Sequence, residues 1–174
     1  TTDPRREEES RELWGILSSH RMNAYYNPGV LILPLPESPK SSFFGDRRIF
    51  RYSDGGQSRT IHFGIDYAAV RGTPVYAAGN GMVVLADYRI ITGNTVVLEH
   101  LPGIFSLYYH LDTLSVEKGR YVVQGELLGT VGATGLATGN HLHWEIRIGT
   151  VPVDPERFIR EPLLDKGLLI VNIE

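Results

Sequence analysis

From about residue 43 onwards the chain consists of short apolar runs separated by glycine-containing turns, and this pattern restricts the fold more than any other feature. The runs are rich in β-branched and aromatic residues, which favour strands. No helical periodicity lies between them. We therefore predict a mainly β domain, an antiparallel β-sandwich or partly open barrel. The runs are "TPVYAAGNGMVVLADY", "NTVVLEH", "IFSLYYHL", "RYVVQGELLGTVG" and "NHLHWEIRI".

The two ends of the chain depart from this pattern. Residues 1–30 begin with a charged amphipathic stretch, in which Asp3 and Pro4 are suited to start a helix, so we predict a short N-terminal helical appendage and linker. Residues 31–160 form the β domain. Residues 161–174 form a C-terminal extension with one more strand-like run.

The start of the chain also carries information. It begins with Thr1 and has no signal peptide. We expect a fragment or a mature form of a longer protein, preceded by a membrane anchor or a further domain.

Composition excludes several classes of protein. The chain has 174 residues, no cysteine and a formal net charge of −3. The absence of cysteine excludes disulfides, thiolate nucleophiles and cysteine-type zinc sites. The acidic balance argues against a nucleic-acid partner. No apolar run is long enough for a transmembrane segment.

The stretch "TGNHLHWEIR" contains two of the six histidines one residue apart. Side chains alternate along a strand, so His141 and His143 share one face, while Leu142 and Trp144 face the core. Two imidazoles side by side pack poorly against apolar neighbours. They therefore suggest a ligand above that face.

A second cluster, "HFGID", places His62 four residues before Asp66. Imidazole and carboxylate are good zinc ligands, and a catalytic zinc site has three protein ligands and one open position. His62 and Asp66 supply two of them. The third is His141 or His143, and spacing alone leaves that choice open.

His110, in "LYYHL", lies between these clusters in the sequence. Strand alternation predicts that Tyr109 and Leu111 face the core and that Tyr108 lies on the same side as His110. The histidines that do not bind the metal are available for proton transfer, because imidazole titrates near neutrality.

Three other polar residues are predicted to be structural. His100 ends a strand and is expected to be partly buried. Glu99 and Glu145 are expected on solvated strand faces, although either could orient an imidazole.

These motifs, in this order, resemble the lysostaphin-type zinc metallopeptidases, the LytM or peptidase M23 family. "HFGID" is similar to the family's HxxxD motif, "HLH" to its HxH motif, and "LYYHL" to the strand that carries a third histidine. The resemblance covers roughly residues 31–160 and implies a fold of the LytM type. Asn140 stands where the family often has proline.

The resemblance implies that His62, Asp66 and His143 bind one Zn²⁺ per chain, and that His110 and His141 are the metal-free catalytic pair. In the family a tyrosine upstream of the first motif also helps to stabilise the transition state. Tyr52 is the nearest candidate.

The activity implied is zinc-dependent endopeptidase cleavage of peptide cross-links in bacterial peptidoglycan, in the periplasm or outside the cell. A D-alanyl to diamino-acid bond and a glycine bridge fit the same metal centre. One alternative is a catalytically silent scaffold that activates another cell-wall hydrolase. A lipoyl-type carrier is rejected because "VEKGR", around Lys118, lacks the expected methionines.

Overall fold

Twelve strands and two helices form within the residues that the computed structural model describes, which are 3–19, 21–24, 26–27, 29–51 and 55–164. In chain order they are α1 (Pro4–Ser18), β1 (Lys40–Ser42), β2 (Arg47–Arg51), β3 (Gln57–Ile61), β4 (Ile65–Ala68), β5 (Pro74–Tyr76), β6 (Gly81–Arg89), β7 (Gly93–Leu101), β8 (Ile104–Leu114), β9 (Tyr121–Val122), β10 (Leu127–Val131), β11 (His141–Ile148), β12 (Val151–Val153) and α2 (Pro155–Phe158).

Ten strands form one antiparallel sheet, and β2 and β3 form a separate two-stranded sheet. The order in the large sheet is β1-β4-β11-β8-β7-β6-β9, an open path; β12 pairs with β11, and β10 pairs with both β5 and β8. The mainly β, antiparallel prediction is confirmed. The topology places β11 between β4 and β8, so the three motif-bearing segments are neighbours.

The two faces of β11 have different surroundings. Leu142 and Trp144 are fully buried in the larger apolar core, as predicted. The opposite face carries His141, His143 and Glu145. A smaller apolar cluster lies between part of the sheet and α1. The metal-ligand candidates therefore lie on the face that α1 also covers.

A bulge in β8 changes the predicted alternation around His110. Asn94 pairs with Leu111 but Val96 pairs with Tyr108, so β8 holds one extra residue there. His110 has φ 61°, a left-handed conformation that is uncommon for a residue with a side chain. Leu111 lies in the larger core as expected.

Because of this bulge the two tyrosines do not follow strict alternation. Tyr109 is buried, as predicted, but in the smaller apolar cluster and not beside Leu111, and Tyr108 does not share a side with His110. Tyr108 is fully buried in the larger core. Tyr109 turns to the other face and stacks on His143, with ring centroids 5.2 Å apart and an interplanar angle of 3°.

Helix α1 is capped by Asp3, whose side chain accepts a hydrogen bond from the Arg5 N–H, and Pro4 opens its first turn. Leu17 is buried in the smaller cluster against the sheet. The Glu9 carboxylate accepts a hydrogen bond from the Ile90 N–H at 2.9 Å. The predicted helix is therefore present, and it is docked on the sheet.

Glu99 is buried, contrary to the expectation of a solvated strand face, and His100, expected to be partly buried, is buried completely. His100 is fully enclosed: its Nδ1 lies 2.7 Å from the carbonyl oxygen of Asn80, and its Nε2 lies 2.7 Å from Ser106 Oγ. Glu99 is 1% exposed, and its carboxylate lies 3.5 Å from the Arg21 guanidinium. Both polar groups have partners that the sequence pattern does not reveal.

In the described ranges, neither helix has both the length and the apolar character needed to cross a membrane. Two predictions fall outside these ranges: the strand-like run over 168–173, and the candidate Tyr52.

Candidate metal centre and active-site groove

Three neighbouring segments bring His62, Asp66 and His143 together. Asp66 on β4 pairs directly with His143 on β11. His62 lies in the short connection between β3 and β4, four residues before Asp66. All three residues are buried, with 5%, 6% and 9% of their surface exposed.

One atom of each side chain points at a common centre. Asp66 Oδ1 lies 2.9 Å from His62 Nε2 and 2.7 Å from His143 Nδ1. The two imidazole nitrogens are 2.9 Å apart. Two nitrogens and one carboxylate oxygen, at such mutual distances, form a donor set suited to zinc.

In both His62 and His143, the ring nitrogen that points away from the common centre has a hydrogen-bond acceptor, and this fixes the tautomer of each ring. His62 Nδ1 lies 2.8 Å from the Phe43 carbonyl oxygen, which can only accept, so Nδ1 carries the proton. His143 Nε2 lies 2.9 Å from Glu145 Oε1 and donates to that carboxylate. In neutral rings the two inner nitrogens therefore present lone pairs to each other and to Asp66. Such an arrangement requires a cation, either a proton or a metal ion, at its centre.

Arg48 supports the carboxylate ligand. Its Nη2 donates to Asp66 Oδ2 at 2.8 Å and to Ser42 Oγ at 2.7 Å. The second carboxylate oxygen is thereby occupied, and Oδ1 stays directed at the two imidazoles. Burial opposes ionisation of Asp66, but hydrogen bonds from His143, His62 and Arg48 outweigh it and hold the pKa of this carboxyl well below its usual range.

Glu145 and Arg147 orient His143 through Nε2, the ring nitrogen that points away from the common centre. Arg147 Nε donates to Glu145 Oε2 at 2.6 Å, which leaves Oε1 for the imidazole. Glu145 is 3% exposed, so the expectation of a solvated strand face is wrong. Burial disfavours a charged imidazole, yet Asp66 and Glu145 raise the pKa of His143 to about 9 in the metal-free protein.

Gly64 lets the two motifs approach each other. A Cβ at this position would lie 2.4 Å from the Trp144 carbonyl oxygen and 2.9 Å from both His143 Nε2 and Glu145 Cγ. Those separations are far below van der Waals contact. The glycine of "HFGID" is therefore required by the close passage of this segment over β11.

His110 and His141 form a second pair beside the donor set, with ring centroids 4.8 Å apart. His110 Nδ1 lies 2.8 Å from the Thr134 carbonyl oxygen, and His141 Nδ1 lies 2.8 Å from the Gly139 carbonyl oxygen. Since carbonyls only accept, both Nδ1 atoms carry protons and both Nε2 atoms present lone pairs in the neutral rings.

The pair differs in its surroundings. His141 Nε2 lies 3.9 Å from Asp66 Oδ1, close to the ligand atoms. His110 is more deeply enclosed, and burial lowers the pKa of His110 to about 4 despite its hydrogen bond to the Thr134 carbonyl. At neutral pH His110 is therefore an uncharged acceptor at Nε2.

A groove of about 710 Å³ runs over both sets of side chains. One wall contains Ser41, Ser42 and Arg48, and the other contains Ile91, Thr92 and the segment 136–140. Helix α1 contributes no residue to this lining within the described part of the chain. Within the described residues, α1 therefore does not cover the donor set.

Comparison with known families agrees with this geometry. Residues 60–155 match the model of peptidase family M23, which is more than half of the chain. The chain belongs to peptidase family M23. The resemblance inferred from the sequence motifs is confirmed.

Relatives of this M23 chain include peptidoglycan DD-endopeptidase ShyC from Vibrio cholerae, 38% identical over 122 residues, which are 70% of this chain and 28% of ShyC. The crystal structure of an M23 peptidase from Pseudomonas aeruginosa is 32% identical, with a TM-score of 0.76, and the match covers 91% of this chain and 63% of that one. A zinc-containing peptidase from Vibrio cholerae is 33% identical, with a TM-score of 0.66 and coverage of 74% and 40%. The chain spans only 28% of the length of the first curated relatives it matches.

The M23 fold thus brings all five predicted residues into one groove. Sequence reasoning missed Arg48 and Thr134 and assigned Glu145 to the surface. The contact of Glu145 with His143 could have been predicted, because Glu145 follows His143 by two residues and so lies on the same strand face. No local signal identifies Thr134, whose contribution is a main-chain carbonyl.

Proposed function

We propose that this chain is the catalytic domain of a zinc-dependent endopeptidase that cleaves peptide cross-links of bacterial peptidoglycan. One observation carries the proposal: the lone pairs of His62, Asp66 and His143 converge at a buried point in a groove where two further imidazoles expose free Nε2 atoms. The names of the relatives support the substrate class and the metal.

His62 Nε2, Asp66 Oδ1 and His143 Nδ1 would hold the metal ion. A bound zinc ion would polarise the scissile carbonyl and lower the pKa of a bound water to about 7. The chain itself supplies the orientation of these ligands through Phe43, Arg48 and Glu145. This arrangement needs no covalent nucleophile.

Proton transfer is assigned to the second pair. His141 Nε2, near the ligand atoms, accepts the proton of the attacking water. His110 donates from Nε2 only after it has taken up a proton from solvent, and in that form it stabilises the oxyanion or delivers the proton to the leaving amine. His141 then releases the proton of the water to solvent, which balances the proton that His110 took up. A positioned acid or base contributes about 10²–10⁴-fold to the rate.

The bond we assign is the D-alanyl to diamino-acid cross-link, since ShyC is named a DD-endopeptidase. The corresponding location is the bacterial cell envelope, in the periplasm or outside the cell.

The test combines metal analysis with digestion. We expect about one zinc per chain, and purified peptidoglycan sacculi should release monomeric muropeptides on incubation with the zinc-loaded protein. Mass analysis of products from defined muropeptide dimers identifies the bond. One zinc per chain with no cleavage of sacculi or dimers would favour the scaffold alternative instead.

A further inference from the structure

The pairing of β7 with β8 is irregular directly beside His110, and one threonine side chain bridges the two strands there. Asn94 on β7 pairs with Leu111 on β8, and the register shifts immediately after this pair. The Thr134 hydroxyl accepts a hydrogen bond from the Asn94 N–H at 2.9 Å and donates one to the Leu111 carbonyl at 2.6 Å. The hydroxyl therefore joins the two strands at the edge of the bulge.

The main chain of the same threonine holds the imidazole. His110 has φ 61°, and its N–H donates to the Thr92 carbonyl at 2.7 Å. Its Nδ1 donates to the Thr134 carbonyl oxygen at 2.8 Å. Thr134 thus contacts the backbone next to His110 through its hydroxyl and the ring of His110 through its carbonyl. One residue relates the position of the ring to the position of the strand.

Thr134 fits closely against the start of β7. A Cβ at Gly93 would lie 2.2 Å from Thr134 Oγ1 and 2.3 Å from the Thr134 carbonyl oxygen. Gly93 also has φ 63°, a conformation that favours glycine. Both oxygen atoms of Thr134 therefore lie directly over a residue without a side chain, and this contact leaves them little room to move towards β7.

The two members of the proton-transfer pair differ in this respect. The carbonyl that accepts from His141 Nδ1 belongs to Gly139, which has no side chain to anchor it. The carbonyl that accepts from His110 belongs to a residue whose side chain is bonded to both β7 and β8. The placement of His110 is therefore the one that a side-chain substitution at its carbonyl partner can disturb.

We propose that the Thr134 hydroxyl is a positioning group that keeps His110 Nε2 directed into the groove for catalysis. This inference rests on the proposed function. Thr134 does not line the groove, so its influence on cleavage passes through His110. Without the hydroxyl, the Asn94 N–H and the Leu111 carbonyl each lose a partner, which is costly for half-buried and buried polar groups. The connection then shifts, and the Thr134 carbonyl no longer selects the His110 tautomer.

The kinetic test compares Thr134→Val, which replaces the hydroxyl by a methyl group, with Thr134→Ser, which keeps it. The valine variant should show a kcat for cross-linked muropeptide dimers that is about 10–100-fold lower, because misplacing a catalytic group costs rates of this order. Its KM and its zinc content should stay close to the wild-type values, since Phe43, Arg48 and Glu145 orient the metal ligands. The serine variant should keep most of the wild-type kcat.

Nitrogen-15 NMR of the zinc-loaded protein reads the His110 tautomer without any cleavage. The His110 signals are assigned by their loss in His110→Gln. The wild type and Thr134→Ser should show a protonated Nδ1 and an unprotonated Nε2, whereas Thr134→Val should show a mixture of the two tautomers. A valine variant that keeps either the wild-type tautomer or the wild-type kcat would overturn the inference. So would a serine variant that behaves like the valine variant.

Two further variants separate positioning from folding. Thr130→Val is the matched control, because the Thr130 hydroxyl bonds to that of Thr113 and Thr130 does not line the groove. It should change neither kcat nor the His110 tautomer, and an equal loss in both valine variants would overturn the inference. Thr134→Ala adds no bulk and should reproduce the effect of valine if that variant fails to fold; wild-type behaviour of the alanine variant would also overturn the inference.

The same measurements distinguish this inference from the proposed function. If the wild-type protein cuts no dimer, the endopeptidase proposal fails, and the NMR signals alone decide whether Thr134 positions His110. A tautomer that changes in Thr134→Val and not in Thr130→Val would then support the positioning role without the activity.

Discussion

The two sets of side chains in the groove are held mainly by different kinds of group. In the metal-ligand cluster, Asp66 and His143 are oriented by the side chains of Arg48 and Glu145, and only His62 is oriented by a main-chain carbonyl, that of Phe43. The proton-transfer pair, His110 and His141, is oriented by main-chain carbonyls of one connection between β10 and β11.

This difference determines which of the supports a single substitution can remove. A side-chain support can be removed by changing one residue, and the metal affinity should respond. A carbonyl support remains after any substitution and is lost only if the backbone of the connection moves. Single substitutions should therefore be able to change the orientation of Asp66 and His143, whereas the tautomers of the proton-transfer pair should persist through most single substitutions.

The prediction with the largest expected effect compares one histidine from each set. His143→Ala and His141→Ala should both lower the cleavage rate by at least about 10²–10⁴-fold. Only His143→Ala should also lose zinc, because His141 is not among the converging donors. Metal analysis and muropeptide release on both variants check this. Loss of zinc from His141→Ala with retention in His143→Ala would mean that the two histidines have exchanged roles.

Gly64→Ala should damage the ligand cluster while leaving every ligand in the sequence. The new Cβ would overlap the Trp144 carbonyl, so "HFGID" must move away from β11. We expect loss of stoichiometric zinc, and a fall in the free energy of unfolding of about 1–3 kcal/mol. Calorimetric zinc titration and urea unfolding measure the two quantities.

Gly139→Ala is the matched control, since its Cβ would meet no atom within 4 Å although the residue lines the same groove. It should bind zinc normally. If Gly64→Ala binds zinc as tightly as Gly139→Ala, the close passage over β11 is not what positions the ligands.

The sequence predicts the ligand cluster better than its supports, for physical reasons. His62 with Asp66, and His141 with His143, are recognisable because their spacing follows from local strand geometry. Tyr109 was assigned to the same face as Leu111 because the prediction assumed regular alternation, which the bulge at His110 breaks. The sequence around His110 contains no glycine that would indicate a bulge. Glu145 was misjudged because its burial depends on the packing of this face of the sheet, which is a tertiary feature, although its partner Arg147 lies only two residues further along β11.

Glu145→Gln tests the side-chain support with a smaller expected effect. The amide keeps the shape and an oxygen acceptor, but it removes the charge that orients and polarises His143. Zinc affinity should fall by about 10–100-fold, the usual consequence of changing an outer partner of a histidine ligand. Competition with a chelating dye measures it. Glu117→Gln, at an exposed position, should leave the affinity unchanged; an equal affinity in both variants would remove Glu145 from the metal centre's support.

His100 lies outside the groove and can be compared with the groove histidines. We expect its substitution to have no effect on zinc binding. Both of its ring nitrogens have protein partners, Asn80 O and Ser106 Oγ, so it offers no free lone pair to a metal or a substrate. Burial lowers the pKa of His100 to about 4, although the Asn80 carbonyl favours the charged form. The usual value of about 6.5 applies in the unfolded chain.

The folded pKa is therefore the lower one, and the unfolded chain binds more protons between pH 4 and 6.5. The stabilisation from neutral His100 is complete above pH 6.5 and is lost as the pH falls towards 4, by about 3 kcal/mol. Urea unfolding of the wild type and His100→Gln across this range should show the wild-type stability falling more steeply. Equal slopes would mean that His100 titrates alike in both states.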